Sequence, residues 1–296
     1  MAISPVDNIV TAHGLHMHYR HWLPHTAHPT LPPVLLIHGL ASASHIWNFV
    51  APLLAEQGYD VIALDQRGHG ESEKPDHGYD FSTILADDRA FLQALNLERP
   101  VLVGHSWGAM VALQYAGTYP EDCNSLVLVD GATNQLSQRP DWTREQARQM
   151  LAPPRFAGTP REAFLSRIRS TPLGQQWSAE LEDIMLHIIQ LRDDDTVAPR
   201  LDFEHHLQII DAMWDQPTVE LYERARCPVT IIVADQEESD EQRQLYHRLR
   251  AESIEHIQQR NSTIHIVWMR NTIHDIPLQR PLELAEEIVR AARPRG

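Results

Sequence analysis

The sequence predicts an α/β fold, with a mostly parallel central sheet flanked by helices and interrupted by a helical insertion. Three observations predict it. Short apolar runs rich in Val, Ile and Leu recur along the chain, helix-like segments lie between most of them, and one long interval breaks that rhythm.

The apolar runs are Pro33–Ile37, Val61–Leu64, Val101–Val103, Leu126–Val129, Val229–Val233 and Ile264–Trp268. Each is too short for a helix and lacks polar alternation, which is the pattern of strands buried on both faces. Leu15–Trp22 reads as a further strand on which histidines alternate with other residues. Helix-like segments include Trp47–Gln57, Thr83–Leu95, Ala109–Thr118, Glu241–Gln259 and a closing helix from about Leu282. From Gly131 to about Arg226 no convincing strand occurs, and amphipathic stretches are separated by Pro140, Pro153-Pro154, Pro160, Pro172, Pro199 and Pro217. The expected organisation is a core of residues 1–130 and 227–296 carrying a helical cap over 131–226. Most of the cap's large side chains, Trp142, Met150, Phe156, Phe164, Trp177, Met185, Met213 and Trp214, are expected to pack helix on helix, with a minority lining a pocket.

The 296-residue chain carries 40 acidic against 25 basic side chains, a formal charge of −15, which repels polyphosphate and anionic lipid surfaces. No basic patch interrupts it, so neither nucleic acid nor membrane is expected as a partner. The first residues have no basic region followed by an apolar run, and no apolar stretch approaches the roughly 20 residues that span a bilayer. A soluble, cytoplasmic protein is expected. The two cysteines, Cys123 and Cys227, have no metal-ligand spacing and read as buried thiols, and the histidines at 13, 16, 18 and 21 read as structural. Neither a metal nor an organic cofactor is expected.

Chemistry enters at Gly104-His105-Ser106-Trp107-Gly108. Alone, G-x-S-x-G is a weak signal, but here a strand-like run precedes it and a helix-like run follows, the setting in which such a turn lifts a serine hydroxyl clear of a sheet. A serine that attacks an acyl carbon needs a base, and the tetrahedral intermediate needs donors for its new oxyanion. Trp107 opens the following helix, so its N–H lacks an intrahelical partner and can serve as one donor. The second is expected from His38-Gly39-Leu40, after the Pro33–Ile37 strand, with the Leu40 N–H as candidate.

Together with Asp65-Gln66-Arg67-Gly68-His69-Gly70 after the next strand, and His274 followed by Arg280-Pro281 near the end, these motifs make the chain resemble an α/β-hydrolase-fold protein with an inserted cap. The resemblance covers almost everything outside the cap. It implies that the Asp65–Gly70 run is a structural turn beside the pocket, with Arg67 and His69 as support. It also implies that His274 is the general base, carried on the loop after the last strand; Ile273 stands where relatives usually have glycine, and His265, inside the strand, is the weaker alternative. The acid that orients the histidine has three candidates. Asp130 ends the Leu126–Val129 strand, where some members of the fold supply the acid, and it is taken first. Glu237 is the alternative, at the usual position of the aspartate in relatives, and Asp235 lies nearer the strand end.

The expected function is hydrolysis of a carboxylic ester or related acyl bond through an acyl-Ser106 intermediate, on a small and partly apolar substrate. Relatives that form alkyl-enzyme esters use aspartate at the turn, so haloalkane dehalogenase and epoxide hydrolase chemistry is disfavoured. Carbon–carbon bond hydrolase, lactonase and thioesterase activities use similar scaffolds, and a non-catalytic receptor retaining the pocket is the rival from another class.

Overall fold

The computed structural model describes residues 3–26, 31–140, 142–236, 241–261 and 263–293. In chain order the strands are β1 (Val6–Ala12), β2 (Leu15–Trp22), β3 (Val34–Ile37), β4 (Val61–Leu64), β5 (Val101–His105), β6 (Ser125–Val129), β7 (Thr159–Pro160), β8 (Ile189–Leu191), β9 (Thr196–Pro199), β10 (Val229–Asp235) and β11 (His265–Arg270). Eight of them form the main sheet in the order β1-β2-β4-β3-β5-β6-β10-β11. The β1–β2 and β2–β4 pairs are antiparallel and the remaining pairs parallel. The helices are α1 (Ala51–Glu56), α2 (Phe81–Ala94), α3 (Trp107–Thr118), α4 (Arg144–Leu151), α5 (Arg161–Arg169), α6 (Ala179–Ile188), α7 (Phe203–Asp215), α8 (Thr218–Arg224), α9 (Glu241–Arg260), α10 (Ile276–Gln279) and α11 (Pro281–Ala292).

The central strands follow the two-residue side-chain period. Leu35, Ile37, Leu102, Leu126 and Leu128 point into one core, with residues of α2 and α3. Val34, Leu36, Val101, Val103, Val127 and Val129 point into the other, with α1 and α11. Because both faces are covered, these strands have no polar side and read in sequence as continuous apolar runs. β1 escapes that reading for the opposite reason. It is an edge strand whose Val6 and Ile9 are 54% and 67% exposed, so it carries no apolar run to detect.

The expectation of a strandless insertion is corrected: a three-stranded sheet, β7-β9-β8, lies among its helices. Its strands are only 2–4 residues long, too short to leave a periodic signal. Asp193-Asp194-Asp195 is the turn between β8 and β9. Asp194 Oδ1 accepts from the Thr196 N–H at 3.1 Å and its hydroxyl at 2.7 Å, Asp195 takes a left-handed φ of 59°, and Arg161 pairs with Asp195 at 3.1 Å. The acidic run is therefore turn chemistry. The insertion is anchored by Leu165, Leu173, Leu181 and Ile184, which join the same core as Ile46 and Leu278 of the sheet-bearing part.

The clustered histidines near the start each hold an acceptor or an acid. His18 Nδ1 lies 2.7 Å from Asp65 Oδ2, His13 Nδ1 2.7 Å from Asp87 Oδ1, His21 Nε2 2.5 Å from Asp60 Oδ1, and His16 Nδ1 3.0 Å from Thr11 Oγ1. Among the described residues no group of three or more His, Cys, Asp or Glu side chains is arranged to hold a metal ion. Cys123 and Cys227 are free and buried, side by side before β6 and β10.

Candidate functional site

β5 delivers the serine. His105 is its last residue and α3 begins at Trp107, leaving Ser106 as the single residue of the turn, at φ 55° and ψ −117°. This is a strained conformation for a residue with a side chain. It is held by the Ser106 N–H, which donates to Val129 O at 2.8 Å. Two glycines make the crossing of strand and helix possible. A Cβ on Gly104 would stand 2.1 Å from Gly108 O, and one on Gly108 would stand 2.4 Å from Ile37 O. The outer glycines of the motif are thus required by backbone contact.

The loop after β3 reaches the same place. A Cβ on Gly39 would lie 3.2 Å from that of Ser106. Gly39 O accepts from the Ser42 N–H at 3.2 Å around a left-handed Ala41. This tight turn leaves the Leu40 N–H with no acceptor among the described residues. Trp107, as first residue of α3, likewise has no intrahelical acceptor. Ser106, Leu40, Gly39, His105 and His274 all line one cavity of about 350 Å³.

His274 sits between β11 and α10 and is half-exposed to that cavity, its side chain at 53%. Its Nδ1 donates to Asp130 Oδ2 at 2.6 Å. The loop is fixed from three sides: His105 Nε2 donates to His274 O at 2.9 Å, the Ile276 N–H donates to the same oxygen at 2.9 Å, and the Ile273 N–H donates to Gln279 Oε1 at 2.7 Å. Ile273 is not among the left-handed residues, so this backbone does not require the glycine found in relatives. Ser106 Oγ and His274 Nε2 are not hydrogen-bonded to each other, although both open on the cavity; such pairs are often loose until substrate closes them.

Asp130 follows β6 in a left-handed conformation, φ 49°. Its side chain is 6% exposed, and Oδ1 accepts from the Ala234 N–H at 2.8 Å and from the Arg250 guanidinium. Burial works to raise the Asp130 carboxyl. The His274 hydrogen bond and the charges of Arg250 and His274 outweigh it and hold the group at about 2. For His274, burial lowers the imidazole but the bond and charge of Asp130 prevail, so it is raised above its ordinary value. His105 goes the other way: burial and the neighbouring His274 push it down to about 4, so it is neutral and its Nε2–H is a fixed donor.

Ser106, His274 and Asp130 are therefore brought together from the ends of β5, β11 and β6. Asp235 makes no hydrogen bond to His274 among the described residues, and Glu237 lies outside them. His265 is exposed at the start of β11. Arg67 and His69 are supports: Arg67 grips Asp87 through Nε at 2.7 Å and Nη2 at 3.0 Å, and His69 stacks on the Trp107 ring at 5.2 Å. Sequence reasoning missed Arg250. It is one of several arginines on a long polar helix, and only its burial, 5% exposed, distinguishes it. Of the cap's large side chains named from the sequence, Met185 alone lines the cavity.

Comparison with known proteins agrees with this architecture. A family model described as alpha/beta hydrolase fold matches residues 32–196. An uncharacterized protein of Mycobacterium tuberculosis is 42% identical over 108 residues, covering 36% of this chain and 31% of that protein. Epoxide hydrolase A of the same organism is 36% identical over 110 residues, covering 36% of this chain and 33% of its own length. The match thus spans about a third of the curated relatives' length. Among solved structures, the thioesterase domain from the curacin biosynthetic pathway superposes with a TM-score of 0.73 at 22% identity, covering 97% of this chain and 99% of that one. With the family model matched over more than half of its 296 residues and the sheet order and serine turn described above, the chain belongs to the α/β-hydrolase fold family.

Proposed function

We propose that this protein hydrolyses a carboxylic ester or a related acyl bond through an acyl-Ser106 intermediate. The observation that carries the reading is the 2.6 Å bond from His274 Nδ1 to a buried, ionised Asp130, on a histidine that shares its cavity with Ser106. With Nδ1 committed as donor, Nε2 is the free lone pair, the tautomer a general base needs. His274 takes the Ser106 proton as Oγ adds to the acyl carbon. The Leu40 and Trp107 N–H groups receive the oxyanion. The protonated imidazole then gives its proton to the leaving group, and a water activated by His274 releases the acid.

The chemistry of the intermediate separates this from the activity named for the epoxide hydrolase relative. A serine oxygen that opened an epoxide or displaced a halide would be left as an ether, which the same base and water do not cleave. Acyl transfer leaves an ester, which they do. The test is turnover of p-nitrophenyl butyrate, with rapid quenching and mass spectrometry of the Ser106 peptide. A butyryl adduct is expected, and ligand binding without Ser106-dependent turnover would overturn the reading in favour of a receptor.

Arg250 adds a second prediction. Its guanidinium lowers His274 while Asp130 raises it. Replacing it by Met removes a cation, so His274 rises further. Since the base must be neutral, the ascending limb of kcat/KM against pH, expected above 6.5 in the wild type, moves to higher pH in Arg250→Met. Breaking a buried pair also costs about 3–5 kcal/mol of stability, to be read by urea unfolding.

A further inference from the structure

We propose that the cavity beside Ser106 is an acyl pocket that takes an uncharged, apolar chain and rejects acyl groups ending in a second carboxylate. This rests on the reading of Ser106 as acyl acceptor and adds to it a substrate class. The walls come from both parts of the fold. Ile46 follows the oxyanion loop, Leu278 lies on α10, Ile168 and Leu173 flank the end of α5, and Met185 and Ile188 lie on α6. Ser42 and Thr171 add hydroxyls, and Asp275 adds a carboxylate beside His274. Among the described residues neither lysine nor arginine lines the cavity.

Two physical consequences follow. Each methylene of an acyl chain that enters exchanges water for aliphatic side chains, worth about fourfold in binding, so selectivity rises with chain length until the pocket is filled. At about 350 Å³ the cavity is at the small end of the roughly 300–1,000 Å³ typical of ligand sites, which suits a medium-length chain. A terminal carboxylate would be desolvated with no cation to pair with, and Asp275 would repel it.

The experiment compares p-nitrophenyl acetate, p-nitrophenyl hexanoate and the p-nitrophenyl monoester of adipic acid, the last having the hexanoate chain length with an anionic end. kcat/KM for hexanoate is expected to exceed that for acetate by about 100-fold, and that for the adipate monoester by at least as much. Met185→Arg, which places a cation in the wall, is expected to raise the adipate-to-hexanoate ratio at least tenfold. Ile188→Arg is the second variant, should the first fail to fold. Ethyl hexanoate and monoethyl adipate are also titrated into Ser106→Ala by calorimetry, which reads the pocket without turnover, and hexanoate is expected to bind the more tightly. Ser106-dependent turnover of the adipate monoester as fast as hexanoate would overturn the pocket assignment and leave the hydrolase reading standing. Absence of Ser106-dependent turnover of any ester would overturn the hydrolase reading, and equal or tighter binding of the adipate ester in the titration would then overturn the pocket as well.

Discussion

Ser106→Ala is expected to lower kcat for p-nitrophenyl ester hydrolysis by about 10⁶-fold, the size of loss found when a serine hydrolase is deprived of its nucleophile. The residual rate comes from binding and the oxyanion donors. Alanine keeps the Cβ, so the strained turn at φ 55° and the backbone bond to Val129 should persist and the variant should fold as the wild type does. Ser106→Gly is equally inactive but free of the steric penalty, and it should melt at a higher temperature than Ser106→Ala, the difference reflecting about 1–3 kcal/mol of stored strain. Steady-state kinetics with calorimetric melting checks both. A Ser106→Ala protein within tenfold of wild-type activity would remove Ser106 as the acyl acceptor.

Asp130→Asn is expected to cost about 10⁴-fold in kcat, as an amide in this position holds the imidazole in the wrong tautomer. The pH profile carries an independent sign. Asp130 raises His274 against the lowering effect of burial, so without the carboxylate the imidazole falls and the ascending limb moves to lower pH while the plateau drops. The Arg250→Met limb moves in the opposite direction, which separates loss of the acid from general damage to the site. Asp235→Asn and Glu237→Gln should leave kcat within severalfold of wild type. If Glu237→Gln instead reproduces the 10⁴-fold loss, the acid is Glu237. Asp130 also ties stability to acid pH. Its carboxyl is held at about 2 in the folded protein, below the ordinary value, so this contribution is present above the unfolded pKa of about 3.9 and is lost as pH falls through the folded value.

Ser106 was legible because the motif that marks it is local. A buried strand, two glycines and the first turn of a helix lie within a few residues of one another. The order of strands and helices was legible for a related reason: strands covered on both faces must be apolar throughout, and that leaves a mark in the sequence. β1, with one open edge, and the 2–4-residue strands of the insertion bury too little to leave one.

Which carboxylate meets His274 was not legible. Asp130 and Asp235 stand at the same end of neighbouring parallel strands, β6 and β10, so sequence spacing cannot choose between them. The choice is made by contacts between segments far apart in the chain. The left-handed backbone at Asp130 turns its carboxylate toward His274, the Ala234 N–H takes up one oxygen, and Arg250, 120 residues further on, neutralises it. The cavity wall was beyond reach for the same reason, since Met185 lines the same cavity as Ser106 only because α6 packs against the Ser44–Trp47 turn. The sequence by itself determined the serine turn, the alternation of strands and helices and the existence of an insertion, because local sterics and burial pattern suffice for these. Tertiary structure alone decided which carboxylate meets His274, which arginine pairs with it and which side chains line the cavity beside Ser106, because each depends on side chains that only packing brings together.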